Sequence, residues 1–124
     1  MKFELVSPIL GFEDIKEVEL ERFDDFFMIM RDANNKDISF TLIDPFMIRE
    51  YDFELGDTTA KLLSASDNSN ILTMNIVLLQ NPIQESLVNF VAPLVFNTDT
   101  KKAAQVIMDD NKYGAAEPIY DNLK

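Results

Sequence analysis

A mainly β domain, a small antiparallel β-barrel or sandwich with one or two short helical turns, is the fold class this sequence predicts. Three observations carry that expectation. Apolar and polar residues alternate at the period of a strand in several short runs. Clusters of Asn, Asp and Pro interrupt these runs at intervals of roughly 8–12 residues, the rhythm of sandwiches and barrels. The runs are short, where amphipathic helices would need long ones.

Taken in order, Phe26 to Met30 is a continuous apolar run bounded by acids, short enough for a strand buried on both faces or bent around a barrel. Ala33-Asn34-Asn35-Lys36-Asp37 follows as a hairpin turn, because Asn tolerates left-handed backbone and bonds its own main chain. Ile38 to Leu42 and Tyr51 to Leu55 alternate cleanly and read as strands. Asp57 is placed to cap a brief helix over Thr58 to Leu63, with Leu62 and Leu63 turned inward. Ile71 to Gln80 reads as a long strand with Leu72, Met74, Ile76 and Leu78 on one face, ended by Asn81-Pro82 because Pro donates nothing to a ladder. Leu87 to Val91 and Leu94 to Phe96 flank Pro93, which implies an edge strand or a bulge, and Ala104 to Met108 supplies the last strand. Met28, Met30 and Met74 fall on core positions of these patterns, with Met108 at a strand end.

The chain has 124 residues and is 47% apolar, enough for one domain spanning 1–124 with a continuous core; the small, polar segment from Gly114 to Lys124 is expected to fray or to order only against a partner. It contains no Cys, no His and no Trp, against 22 acids and 11 bases. Disulfides, thiolate or histidine zinc sites and Cys–His or Ser–His–Asp catalysis are thereby excluded. A net charge of −11 disfavours nucleic acid and anionic membrane as direct partners. The opening Met1 to Val6 does not read as a signal peptide, no stretch approaches the ~20 apolar residues of a membrane span, and a cytoplasmic location is expected.

Carboxylate pairs at Glu13-Asp14, Asp24-Asp25 and Asp109-Asp110 are expected to be solvated turns, since adjacent residues point apart and the spacing of a cation loop is missing. Gly11, Gly56 and Gly114 are too dispersed to cradle phosphate. The chemistry predicts neither enzymatic activity nor a cofactor or metal. Asp44-Pro45-Phe46 is more distinctive: Pro fixes a turn where the chain leaves a strand, and Phe46 either folds back over a barrel end, the commoner outcome, or stands exposed as an anchor.

The order of several motifs resembles the bacterial flagellar assembly factor FliW family. They are Ile9-Leu10-Gly11-Phe12, then Asp44-Pro45-Phe46 with Tyr51 to Leu55, then Asn89 to Asn97, and then Gln105 to Asp109 followed by Tyr113 and Pro118-Ile119. Each is weak alone, but together they span essentially the whole chain. The chain departs from the family pattern at Pro8, where members carry Gly, and in Gly114-Ala115-Ala116-Glu117, where members often carry a base.

The resemblance implies a non-enzymatic β-barrel that binds flagellin through flagellin's terminal helical region and also binds the translational repressor CsrA. Flagellin occupancy would free CsrA to repress flagellin mRNA, and secretion would reverse that state. An acidic surface suits approach to a basic RNA-binding protein, while affinity needs desolvated anchors. Candidates are Phe46, Tyr51, Phe90, Pro93 and Tyr113, with Asp44, Pro45 and Asn89 beside them and Asp109 and Asp110 as acidic contacts. A competing expectation is an acidic mimic of nucleic acid that fills the RNA groove of a basic protein, in which case Asp109 and Asp110 carry the binding.

Overall fold

The structure, a computed structural model, describes residues 1–108 and 112–119. Its strands are β1 Lys2–Leu5, β2 Glu17–Arg22, β3 Phe27–Asp32, β4 Asn35–Ile43, β5 Ile71–Leu78, β6 Leu87–Val88, β7 Leu94–Asn97, β8 Lys102–Gln105 and β9 Glu117–Pro118. One α-helix, α1 Asp57–Leu62, and 3-10 turns at Pro45–Met47 and Ile83–Glu85 complete the described elements. The hydrogen-bonded order β4-β3-β2-β1-β8-β7-β5 returns to β4 through a β4–β5 pairing, closing a seven-stranded barrel. Closure removes the exposed edges of that sheet. Neighbours are antiparallel except β1 and β8, which run parallel with Glu4 opposite Lys102.

Alternation explains the interior. In β2, Val18 and Leu20 are buried while Glu19 between them and Glu17 and Glu21 on either side lie on the outer face, an alternation present in the sequence. They meet Phe3, Met30, Leu42, Met74, Leu94 and Phe96 in the main core, where Phe3 and Phe96 pack edge to face at 5.0 Å. Burying each such ring stabilises the fold by roughly 1.5–3 kcal/mol. β7 is buried along its whole length, and its first three residues are apolar, because it is covered on both sides: Leu94 and Phe96 face the barrel interior, and Val95 packs outward with Leu63 and Ala104. A further cluster, Phe27, Ile43, Ile48, Tyr51, Val77, Val88, Phe90 and Ile119, brings together the ends of β3 to β6 and the segments around them.

Several local expectations change. The hairpin turn shrinks to Ala33-Asn34, with the Asp32 carboxylate accepting the Asn34 N–H and a bulge at Arg31/Asp32; neither Asn adopts positive φ. Tyr51 to Leu55 keeps its alternating burial but joins no ladder, because β4 already has β3 and β5 as neighbours. Gly56, not Asp57, occupies the helix N-cap position, and Leu62 is exposed while Leu63 is fully buried. β5 ends at Leu78, which is exposed, and only Leu87–Val88 pairs from the run up to Val91. Pro93 marks no open edge. It is buried at the start of β7, an interior strand, and its carbonyl accepts the Val106 N–H. The last barrel strand is shifted to Lys102–Gln105.

Candidate functional site

Most of the expected contact residues converge on Tyr51. The chain leaves β4 at Asp44, whose carboxylate accepts the Phe46 N–H at 2.9 Å, and Pro45 starts the 3-10 turn. This turn buries Pro45 and Ile48 and leaves Phe46 and Met47 each 53% exposed, so Phe46 does not plug the barrel. Its ring meets Tyr51 edge-on at 5.7 Å. Tyr51 is buried beside Phe90 at 5.7 Å and Tyr113 at 4.8 Å. Its hydroxyl donates to the Phe90 carbonyl, lies 3.3 Å from Met108 Sδ, and accepts from Asn75 Nδ2 at 3.4 Å.

Asn75 Nδ2 also donates to the Asn89 carbonyl at 2.7 Å, while Asn75 Oδ1 is buried with no partner among the described residues. Arg49 covers the other side: its guanidinium lies 5.0 Å from the Phe90 ring centre and 4.8 Å from that of Tyr113, and it pairs with Glu117 at 2.9 Å. A planar cation stacked on two rings fastens β9 to this flank. Tyr51, Phe90 and Asn89 thus build the flank from within, while Phe46 is its exposed apolar tip and Tyr113 is half-buried. Pro93 takes no part in these ring contacts, and Asp109 and Asp110 lie outside the described residues.

A second apolar surface was missed by sequence reading. Phe23 (68% exposed), Phe26, Leu79 and Ile83 stand at the surface between the β2–β3 turn and the segment after β5. They line two hollows of about 190 and 210 Å³ that share Phe27 and Ile83. The signal was present in Phe23-Asp24-Asp25-Phe26: the Asp24 carboxylate accepts the N–H groups of Phe26 and Phe27, each at 2.8 Å, fixing a tight turn. An Asx turn of this kind spends its polar side chain on the backbone and leaves its neighbouring rings outside. Resolved carboxylate shifts fall elsewhere: Glu21 is lowered by its hydrogen bond and charge pairing with Arg31, and Asp99 by the Asn70 backbone N–H and side-chain amide.

Among the described residues no group of acids is placed to hold a metal ion, and no helix is long and apolar enough to cross a membrane. The closed barrel with its aromatic flank and exposed apolar hollows defines a class of small, mainly β protein with apolar surface free for contact. The model of the FliW protein family matches residues 1–119, and the chain belongs to that family of flagellar assembly factors. It is 54% identical over 125 residues to the flagellar assembly factor FliW of Sulfurimonas denitrificans, covering 100% of this chain and 99% of the relative. The corresponding factor of Campylobacter lari is 43% identical over 91% of this chain and 87% of its own. A crystal structure of the flagellar assembly factor FliW superposes with a TM-score of 0.89 at 24% identity, covering 96% of this chain and 85% of that one, and shows the same fold.

Proposed function

We propose that the whole chain, acting as one domain in the cytoplasm, binds newly made flagellin and alternatively binds CsrA, relieving CsrA's repression of flagellin mRNA until flagellin accumulates. Family membership supports flagellar assembly as the setting. The observation that carries the binding reading is the exposed surface of Phe23, Phe26, Leu79 and Ile83 with its two joined hollows. An amphipathic helix docks by placing apolar side chains at successive turns into such hollows. Rings held outside at 68% and 48% exposure have no role in the core, so a docking role explains their cost in water.

The test is capture of purified flagellin and of CsrA by the full chain and by a Phe23→Asp, Phe26→Asp variant. The variant is expected to keep its circular dichroism and melting temperature and to lose flagellin affinity by about a hundredfold, a loss of roughly 3 kcal/mol. Undiminished capture by a folded variant would overturn this surface as the docking site. A wild-type chain that holds neither protein at micromolar concentration in low salt would overturn the function. CsrA capture that survives Phe46→Ala but is abolished by Asp109→Asn with Asp110→Asn would favour the nucleic-acid-mimic alternative.

A further inference from the structure

Beyond β8 the chain stays extended. The Val106 N–H donates to the Pro93 carbonyl at 2.9 Å, and the Met108 N–H to the Val91 carbonyl at 2.8 Å. In an extended chain successive peptide groups alternate sides, so Ile107 turns its N–H and C=O away from residues 91–93. Neither group has a hydrogen-bond partner among the described residues, and the Ile107 side chain is 55% exposed. Barrel closure has therefore left a short stretch of unpaired edge just past the last barrel strand.

Opposite this edge runs the segment 52–56, whose Phe53, Glu54 and Leu55 N–H groups also lack partners among the described residues. Between the two lies a cavity of about 490 Å³ lined by Asp52, Phe53, Glu54, Thr59, Ile107 and Met108 among others. Among the described residues no Lys or Arg lines it. Asp52 is paired with Lys112, whereas Glu54 has no ion-pair partner among the described residues.

We propose that this groove is a strand-addition site for an extended, basic peptide segment of another protein. The segment lies along Ile107 and exchanges backbone hydrogen bonds with its N–H and C=O. It sets alternate apolar side chains against Phe53 and Met108 and places Lys or Arg beside Glu54. Unpaired main-chain groups supply affinity for any extended chain, and the uncompensated carboxylate in a molecule of net charge −11 selects a basic one. None of the groove's lining residues belongs to the Phe23 and Phe26 surface, so the two sites are separable.

The experiment titrates the full chain with a fluorescein-labelled nine-residue peptide of alternating Lys and Val, and follows amide exchange by NMR. Saturable binding at low salt is expected, with exchange of the Ile107 amide slowed at least about tenfold. Peptides N-methylated at alternate residues, made in both registers, keep the charge and lose the donors on one side. The register that faces Ile107 is expected to bind at least about tenfold more weakly. Glu54→Lys is expected to weaken the parent peptide about threefold at low salt and less at high salt. The proposal is overturned if both methylated peptides bind like the parent, if exchange slows elsewhere but not at Ile107, or if no saturable binding occurs at millimolar peptide.

Discussion

Tyr51 shows how one side chain joins three stretches of chain distant in sequence. Its ring fills the space between Phe90 and Tyr113, and its hydroxyl ties β5 through Asn75 to the Phe90 carbonyl and Met108. Tyr51→Phe keeps the ring and leaves the Phe90 carbonyl without that donor, so urea denaturation is expected to show a loss of about 1–2 kcal/mol. Acid sensitivity also begins with single residues. Glu21 and Asp99 have folded-state values below their ordinary 4.5 and 3.8, the first through Arg31 and the second through Asn70. A depressed folded value favours the native state above the unfolded value, and the benefit disappears as pH falls through the depressed one. Carboxyl NMR titration is expected to place both midpoints below those ordinary values, and Arg31→Gln is expected to return Glu21 upward while leaving Asp99 unchanged.

Elements depend on residues that look like simple turn formers. Asn97 is fully buried at the end of β7: its Oδ1 accepts the N–H groups of Asp99 and Thr100, and its Nδ2 donates to the Leu63 carbonyl just after α1. It therefore shapes the β7–β8 hairpin and docks the helix on it at once. Asn97→Ala is expected to lower stability by roughly 2–4 kcal/mol, measured as the urea midpoint at unchanged slope. From sequence, Asn97-Thr98-Asp99 was legible as a stop signal, but not as an inter-element bond, because Leu63 lies 34 positions away. The same division recurs elsewhere. Alternation within β4 and β5 is local, so those strands were readable, with their ends displaced by a few residues. Tyr51 to Leu55 has identical alternation yet forms no strand, since pairing requires a vacant neighbouring edge and periodicity says nothing about vacancy. Of the contact residues, the aromatic types were legible, while exposure was not: Phe90 is fully buried and Phe23 is outside.

At the scale of the molecule, charge and shape divide the work. A chain of net charge −11 attracts a basic partner over roughly the Debye length, about 10 Å at 0.1 M salt. For CsrA, the partner proposed above, stopped-flow association is thus expected to slow by about tenfold or more between 20 and 500 mM NaCl while dissociation changes little. Shape depends on a less obvious condition. Besides the β4–β5 pairing, the closed ring needs the parallel pairing of β1 with β8, a strand that begins only at Lys102. During synthesis the N-terminal strand must wait until some hundred residues have been made before its second neighbour exists. A chain that stops short of Lys102 therefore holds an open sheet, with the backbone groups of β1 and β7 that face β8 left without their strand partner.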